Sequence, residues 1–318
     1  NMRTGEINRV AHLALDDRIV GKAGGMTDAR ALTLHLRGKW YGSYGTAPCP
    51  VCQPEGRKGQ DALTLTDGSK GLLAHCKRLG CAFRDTLAAA GIVTAEFAPT
   101  DPAIIAQRET QRRAEAKRRA KQAWAIWNEA QPIAGTLAEN YLRRRGISCD
   151  LPSTLRFHSE VWHGATARRL PAMVALVEGG EGFAIHRTYL RTDGMGKADA
   201  TPAKAMLGAT AGGAVRLAGG LGPLVVAEGI ETALSLDCGY LQARATIWAA
   251  LSTSGVRGLH LPPNPARLTI APDGDDPGRE AANALAERAH ALGWQVSLLP
   301  APNGRDWNDI LQTKVVAS

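Results

Sequence analysis

Three groups of acidic residues each follow a short apolar run that is typical of a strand. In chain order they are Glu228, the pair Asp273 and Asp275, and the pair Asp306 and Asp309. Because open α/β sheets bind their ligands where the carboxyl ends of parallel strands meet, we expect these side chains to lie together. Carboxylate oxygens suit Mg²⁺ or Mn²⁺, which retain some water and also bind substrate phosphates. The sequence therefore predicts a divalent-metal site for phosphate chemistry.

Asp273 and Asp275 are separated by Gly274 alone. Alternation along an extended chain turns both carboxylates to the same side, and Gly274 permits an unusual backbone conformation and close approach of a ligand. Glu228 is then either a further metal ligand or the base that accepts a proton from an attacking hydroxyl. Taken alone, Asp-Gly-Asp is typical of a turn and a Glu after a strand is typical of a helix start. Their recurrence after three strands favours the metal site.

Four cysteines with the spacing C-x2-C-x23-C-x4-C are Cys49, Cys52, Cys76 and Cys81. Strand-like segments 62–66 and 71–75 lie between the two pairs, so a hairpin joins two ligand knuckles, as in zinc ribbons. In a cytosolic protein a structural Zn²⁺ is favoured over disulfides. His75 is the competing fourth ligand, but strand alternation turns it towards solvent or nucleic acid. Cys149 and Cys238 have no partners at ligand spacing and are predicted to be small core residues.

Cations and aromatic residues are interleaved in segment 37–45, which includes Lys39 and Trp40. Such a surface can stack on bases while its cations follow phosphates, or its aromatic residues can pack against a small zinc module. A linker at 98–102 that interrupts regular secondary structure precedes one long predicted helix, 103–130, dense in helix-forming residues. Among its cations are Arg112, Arg113 and Arg118. They either contact nucleic-acid phosphates or form an ordinary solvated face.

From residue 147 to about residue 220 the pattern predicts short strands and turns, with strands at 170–177, 182–190 and 214–217. Three basic residues in this region are Arg187, Lys204 and Arg216. Cations from one small sheet can converge on a nucleoside triphosphate or on a nucleic-acid backbone, although any one of them alone is more often a surface residue.

The series Glu228, Asp273-x-Asp275 and Asp306-x-x-Asp309 resembles the Toprim domain shared by bacterial-type primases, topoisomerases and some nucleases. The resemblance implies that Glu228, Asp273 and Asp275 are catalytic and organise Mg²⁺ or Mn²⁺ for phosphoryl transfer. It implies a supporting role at the metal for Asp306 and Asp309.

The rest of the chain resembles primases of phages, plasmids and integrative elements. The cysteine pattern resembles their zinc-binding domain, which is held to engage template, whereas replicative bacterial primases commonly have His at the position of Cys52. The ordered run of Arg187, Lys204 and Arg216 resembles the amino-terminal half of their polymerase core. The resemblance implies that these three residues bind nucleotide or nucleic acid.

The expected fold class is α/β. A Toprim catalytic domain with a Rossmann-like, mostly parallel sheet follows a small mixed α+β subdomain and an amino-terminal zinc ribbon. The predicted division is a zinc-ribbon template-binding domain (1–97), a basic helical linker (98–146), the N-terminal subdomain of the polymerase core (147–220) and the Toprim catalytic subdomain (221–318).

These features predict a DNA primase, a DNA-directed RNA polymerase that makes short RNA primers on single-stranded DNA from nucleoside triphosphates. One alternative is DNA cleavage by a Toprim nuclease or topoisomerase-like protein. Type IA topoisomerases need a tyrosine nucleophile on a large additional domain, for which 318 residues leave too little sequence. The other alternative is a non-catalytic, zinc-dependent single-strand DNA-binding protein, and the intact acidic groups argue against it.

The composition agrees with a polyanionic partner, since the formal net charge is +8. Neither an apolar run of membrane-spanning length nor a secretory signal is visible, so a cytoplasmic protein without membrane contact is expected. The sequence has no phosphate-binding loop of the G-x-x-x-x-G-K-[ST] type, so a replicative helicase partner is expected to be a separate protein.

Overall fold

The computed structural model describes residues 28–42, 44–56, 61–68, 71–92, 102–220, 222–241 and 244–317. Of the predicted linker at 98–102, only Pro102 belongs to the described residues. Residues 1–27 of the predicted zinc domain lie outside the described ranges. The described residues form two compact units, one up to Ala114 and one from Glu115.

The first unit is a small antiparallel sheet with short helices. Its elements are α1 (Ala29–His35), β1 (Lys39–Trp40), β2 (Tyr44–Ala47), β3 (Leu63–Gly68), β4 (Gly71–Cys76), α2 (Phe83–Ala89) and the first part of α3 (Pro102–Glu129). The strands pair in the order β1-β2-β3-β4, which confirms the predicted hairpin between the cysteine pairs.

Few side chains hold this unit together. Its core is a single cluster in which Leu32, Leu63, Leu65 and Leu87 are fully buried. Asp28 begins α1 by accepting a hydrogen bond from the Ala31 backbone N–H at 2.7 Å. A core of this size supplies little stability, so a bound metal is the ordinary additional support for such a module.

The second unit begins with the rest of α3 and an antiparallel sheet. The elements are α4 (Leu137–Arg144) and the strands β5 (Gln131–Pro132), β6 (Leu155–His163), β7 (Arg168–Val177), β8 (Ala184–Tyr189) and β9 (Lys204–Gly208), which pair in sequence order. Both faces of this sheet are buried, because the residues that alternate along its strands belong to two different hydrophobic cores. Tyr141 and Met173 belong to one core, and Trp127 and Ile185 belong to the other.

A second, mostly parallel sheet completes the unit. Its strands are β10 (Val215–Ala218), β11 (Leu224–Ala227), β12 (Thr246–Ala249), β13 (Arg267–Ala271) and β14 (Gln295–Leu298), in the order β10-β12-β11-β13-β14. All neighbours are parallel except the edge pair β10 and β12. The expected α/β class with a mostly parallel sheet is therefore confirmed. From Val215 onwards the predicted strand 214–217 pairs in this sheet, while Ala214 forms an isolated bridge to Glu178 beside β7.

Helices lie on both faces of the parallel sheet. They are α5 (Ile230–Asp237), α6 (Thr253–Gly258), α7 (Asp276–Ala291) and α8 (Trp307–Ala317). Leu234 and Leu311 bury α5 and α8 against the core shared with the antiparallel sheet, while Val256 and Leu285 bury α6 and α7 on the other side. The four residues of β11 are consequently all buried, as is usual for a central parallel strand.

Candidate functional site

Two acidic residues stand at adjacent strand ends of the parallel sheet. Strands β11 and β13 are parallel and in register, with Ala227 opposite Ala271, so the residues that follow them leave the sheet at the same edge. Glu228 follows β11 directly and Asp273 is the second residue after β13. Both line a cavity of about 170 Å³, together with Asp306. The predicted convergence of the acidic groups is therefore seen for one member of each group.

Two carboxyl groups of this cavity, those of Glu228 and Asp273, have raised pKa values. Burial and the nearby charges of Glu228 and Asp306 raise the pKa of Asp273 to about 7. Burial and the charge of Asp275 likewise raise the pKa of Glu228. A cavity in which ionised carboxylates are costly without a cation is the electrostatic counterpart of a cation site.

Asp275 lies beside the cavity and also begins α7. Its Oδ1 accepts a hydrogen bond from the Gly278 backbone N–H at 2.8 Å, which is the usual contact of a helix N-cap. The reason for Gly274 differs from the one predicted, since φ is not positive there. A Cβ at this position would lie 1.9 Å from the Pro302 carbonyl oxygen. Gly274 is thus required by the close approach of the loop that leads to Asp306.

Asp306 and Asp309 cap the first turn of α8 reciprocally. The Asp309 N–H donates to Asp306 Oδ1 at 2.8 Å, and the Asp306 N–H donates to Asp309 Oδ2 at 3.1 Å. Asp306 lines the cavity, whereas Asp309 does not. The observed contacts of Asp309 are therefore those of a residue that positions Asp306.

Three cations line the same cavity: Arg145, Lys197 and Lys204. Glu231, which is 4% exposed, accepts hydrogen bonds from Lys204 Nζ at 3.0 Å and from the Tyr141 hydroxyl at 2.8 Å. Lys197 Nζ lies 3.4 Å from Glu231 Oε1, the oxygen that the Tyr141 hydroxyl also contacts. Although burial opposes ionisation, the two ammonium groups and the phenol lower the pKa of Glu231. Burial lowers the pKa of Lys197 despite its contact with Glu231.

Sequence reasoning missed Glu231, Lys197 and Arg145. Glu231 carried a usable signal, since it lies three residues after Glu228 at the start of a helix and therefore near the same strand end. Lys197 lies in the Gly-containing loop between β8 and β9, and Arg145 follows α4. Neither has a pattern that distinguishes it from a surface cation.

The expectation that Arg187, Lys204 and Arg216 converge is wrong. Lys204 pairs across the antiparallel sheet with Thr188, and Arg187 pairs with Ala205, so Arg187 and Lys204 lie on opposite faces. Arg216 is on β10, with its guanidinium 5.2 Å from the centre of the Trp248 ring. Of the three, only Lys204 lines the acidic cavity.

The remaining predicted basic residues have local contacts. Arg112 and Arg113 pair with Glu109, and Arg118 pairs with Glu115, in exposed bridges of the kind that contribute little to stability. These contacts agree with a solvated helix face, and contact of the three arginines with nucleic-acid phosphates stays a prediction.

In segment 37–45, Trp40 is partly buried against the core of the first unit, which agrees with the packing interpretation. Lys39 places its ammonium 5.4 Å from the centre of the exposed Tyr41 ring. Tyr41 and Tyr44 stack at 5.1 Å, and both are exposed. The cation and the two tyrosine rings thus remain a solvent-facing aromatic surface.

The four predicted cysteine ligands form a second candidate metal site. The sulfur atoms of Cys49, Cys52, Cys76 and Cys81 all lie within 4.8 Å of one another, and His75 is exposed on β4 as expected. Although burial opposes it, backbone N–H donors lower the pKa of Cys76 to about 6, which favours a thiolate. Four convergent sulfur donors fit a tetrahedral structural Zn²⁺.

Within the described ranges, no other group of three or more His, Cys, Asp or Glu side chains converges so tightly. The acidic cavity offers fewer close protein ligands than the cysteine site. Mg²⁺ and Mn²⁺ fit such a set, because these ions complete their coordination with water and substrate phosphates.

Cys149 and Cys238 are not independent core residues. Their sulfur atoms lie 2.7 Å apart, and the Cys149 backbone N–H donates to Cys238 Sγ at 3.1 Å. The contact joins the segment after α4 to the end of α5. The side-chain contact with Cys149, and after it the backbone N–H donors of Ser148 and Cys149, lower the pKa of Cys238 to about 6 although burial opposes this.

No helix among the described residues is long and apolar enough to cross a membrane. Residues 223–316 match the family model of the Toprim domain, which confirms the predicted resemblance for the parallel-sheet region. Residues 117–217 match a family described as a domain of unknown function, DUF7146. Comparison with curated proteins gives no match.

Three of the solved structures that match this chain are primases. A DNA primase domain from Pseudomonas aeruginosa is 19% identical at a TM-score of 0.39, with 62% of this chain and 75% of that chain covered. The zinc-binding and RNA polymerase domains of Aquifex aeolicus primase are 13% identical at a TM-score of 0.38, with 91% and 81% covered. The RNA polymerase domain of Mycobacterium tuberculosis primase DnaG is 17% identical at a TM-score of 0.37, with 65% and 82% covered. Likeness at this level carries no inference about activity.

Proposed function

We propose that the chain is a DNA primase that synthesises short RNA primers on single-stranded DNA by metal-dependent nucleotidyl transfer. The observation that carries the proposal is the cavity at the end of β11 and β13, which is lined by both carboxyl groups and cations. Carboxylates for a metal and ammonium groups for phosphates are the two components that phosphoryl transfer needs. The Toprim match of residues 223–316 supports the same class of chemistry.

The reaction proposed is attack of a primer 3′ hydroxyl on the α-phosphate of a nucleoside triphosphate, with release of pyrophosphate. Glu228, Asp273 and Asp275 would hold Mg²⁺ or Mn²⁺, with support from Asp306. When bound, the metal supplies positive charge against the phosphates and lowers the pKa of the attacking hydroxyl. Glu228, whose raised pKa favours proton acceptance, is assigned the proton from that hydroxyl.

The cations of the cavity are assigned to the phosphates of the incoming nucleotide. Glu231 holds Lys204 and Lys197 in place and uses only part of their hydrogen-bonding capacity, since an ammonium group has three donors. The remaining donors are available for phosphate oxygens. In the first unit, Zn²⁺ on the four cysteines is proposed to be structural, and the exposed Lys39 and tyrosine rings to contact template. A separate helicase is proposed as partner.

The test is primer synthesis by purified protein on mixed-sequence single-stranded DNA, with labelled nucleoside triphosphates and Mg²⁺ or Mn²⁺. Asp273→Asn is expected to reduce product at least about a hundredfold, because it removes a charged group from the metal site. Asp276→Asn is the matched control, since Asp276 is exposed and begins the neighbouring helix outside the cavity. It is expected to retain full activity.

Two outcomes contradict the proposal. Nicking of the DNA that needs metal and Asp273, without nucleotide incorporation, assigns the cavity to the cleavage branch of Toprim chemistry. Binding of single-stranded DNA that is equal with and without Mg²⁺, with no incorporation under any condition, assigns the chain to the non-catalytic alternative.

A further inference from the structure

A second cavity lies at the end of β12, the strand next to β11. Its volume is about 340 Å³, which is within the range of small-ligand sites. It is lined by the loop between β9 and β10 and by residues of the segment 250–260, which includes α6. The described residues that line it include no Asp, Glu, Lys or Arg. This space, the neutral cavity, is therefore suited to an uncharged part of a ligand.

Two residues connect the neutral cavity to the acidic cavity. Leu251 lines both, and its backbone N–H donates to the Glu228 carbonyl oxygen at 2.7 Å. Its φ of +73° is in the left-handed region, which a residue with a Cβ adopts rarely and chiefly where the surrounding structure holds it, as at functional sites. Met206 lines the neutral cavity two residues after Lys204, on the same face of β9, so the two side chains leave the strand about 7 Å apart. A ligand held by Lys204 can therefore extend into the neutral cavity.

The acidic cavity is too small for a whole nucleotide. Its volume is about 170 Å³, and its lining of carboxylates and cations suits a metal ion and phosphates. Sites for small organic ligands usually begin at about 300 Å³. The uncharged part of a nucleotide whose phosphates occupy the acidic cavity consequently extends beyond it.

The neutral cavity presents both donors and acceptors of hydrogen bonds. Ser252 Oγ and Ser254 Oγ lie 3.0 Å apart, so one of their two hydroxyl protons is used in this contact and the other can be donated to a ligand. The Thr210 hydroxyl donates to the Met206 sulfur at 3.3 Å, and its oxygen can still accept. Such groups suit the hydroxyls of a ligand, which both donate and accept.

His260 supplies a further acceptor in a fixed orientation. Its Nδ1 lies 3.1 Å from the Gly179 carbonyl oxygen. Since a carbonyl oxygen can only accept, a neutral imidazole in this contact carries its proton on Nδ1 and leaves Nε2 as an acceptor. The ring rests on Gly212, where an added Cβ would overlap the imidazole. Any larger residue at that position would displace His260 from the cavity.

These groups fit a sugar better than a base. Each sugar hydroxyl donates and accepts, and the carbon atoms of the ring can pack on the aliphatic side chains of Leu251 and Met206. A base needs a flat aromatic partner on which to stack, and the described lining includes no Phe, Tyr or Trp.

From this arrangement we propose that the neutral cavity binds the ribose of the nucleotide whose phosphates lie at Lys204 and Lys197, and that it selects ribonucleotides over deoxyribonucleotides. Thr210 and His260 accept hydrogen bonds from the sugar hydroxyls, and the pair Ser252 and Ser254 donates one. The inference rests on the proposed function, because that function places the phosphates at the two lysines.

The test is calorimetric titration of the purified protein with ATP, 2′-deoxyATP and 3′-deoxyATP, with Mg²⁺ and without DNA. The unmutated protein is expected to bind ATP about tenfold more tightly than 2′-deoxyATP, the effect of about one hydrogen bond. His260→Phe and Thr210→Val each remove one acceptor with little change in volume. Each should weaken ATP binding about fivefold to tenfold, and should change less than about twofold the affinity for the analogue that lacks the hydroxyl bound by that acceptor.

The matched control is His290→Phe, which makes the same change at an exposed position of α7 and is expected to alter all three affinities less than about twofold. Circular dichroism identifies a variant that fails to fold, and the other variant then carries the test. Equal affinity of the unmutated protein for ATP and 2′-deoxyATP, or equal losses for all three nucleotides in the folded variants, would overturn this inference and leave the proposed function standing. Absence of binding for all three nucleotides would contradict the inference and the proposed function together.

Discussion

The carboxylate of Glu231 is buried and ionised because two ammonium groups and a phenol hydroxyl surround it. Ionised carboxylates are rarely buried without such partners, since the lost hydration must be replaced by charge and hydrogen bonds. The side chains of Lys197 and Lys204 thereby become fixed beside Glu228. The arrangement makes Glu231 a positioning residue for the cations of the acidic cavity.

Replacing Glu231 with Gln is expected to lower the free energy of unfolding by about 2–3 kcal/mol at pH 7, because two ammonium groups lose their counterion and both are only about one-third exposed. The folded-state pKa lies below the usual value, so the stabilisation is present above pH about 4 and is lost on further acidification. Urea unfolding of both proteins at pH 7 and at pH 3.5 measures this. A difference that stays constant between the two pH values would contradict the ion-pair role.

The contribution of Asp273 to stability changes with pH in the opposite direction to that of Glu231. Its pKa is raised to about 7 in the folded protein, so its ionisation costs stability as pH rises from about 4 to 7 in the absence of metal. Mg²⁺ binds the ionised form, and the increase in melting temperature on adding Mg²⁺ is therefore expected to be several degrees larger at pH 8 than at pH 6. Asp273→Asn should abolish most of this difference. Equal increases at both pH values in the unmutated protein would remove Asp273 from the metal site.

At the scale of elements, the strand ends could be predicted, but the register between β8 and β9 could not. Glu228 and Asp273 follow apolar runs, and a neighbouring Gly229 or Pro272 marks the end of each strand, so local pattern alone located both. The face occupied by Arg187 depends on the register between β8 and β9, which are separated by 14 residues of loop. Nothing in the loop specifies that register, and the prediction that Arg187 joins Lys204 failed for this reason. Strand β12 is only four residues long and was missed.

The contact between Cys149, in the segment after α4, and Cys238, at the end of α5, leads to a further prediction. Treatment with diamide, which accepts two electrons and two protons, is expected to join the two sulfur atoms, because they already touch and the lowered pKa of Cys238 supplies a thiolate. Peptide mapping by mass spectrometry should find the Cys149–Cys238 crosslink as the main product while the zinc cysteines are metal-bound. Cys238→Ser is the control, and formation of other crosslinks instead would contradict the contact.

On the scale of the molecule, the two units differ in what stabilises them. The first has one small core and four convergent thiols, whereas the second buries three clusters around two sheets. The spacing of the cysteines predicted the first unit's stabilising device, and the strand pattern predicted the class of the second. The division of α3 between the two units could not be predicted from the sequence, because a continuous helix has no boundary signal at Ala114.

Removal of zinc is therefore expected to unfold the first unit and to leave the second intact. Hydrogen exchange measured peptide by peptide, before and after treatment with a zinc chelator, tests this. Peptides from β3 and β4 should lose protection, while those from β7 and β11 should keep it. Cys52→Ser should reproduce the effect without chelator. Loss of protection in both units together would show that the cysteine site stabilises the whole molecule.

Because Arg187 and Lys204 lie on opposite faces of the sheet, strands β8 and β9 tolerate insertions and deletions poorly. A single-codon insertion or deletion inside β8 or β9 would turn every following side chain of that strand to the other face, which can remove Arg187 or Lys204 from its own face. The 14-residue loop between the strands can absorb the same change without altering either face. Length variation in relatives that keep Arg187 and Lys204 on these faces should therefore be confined to this loop.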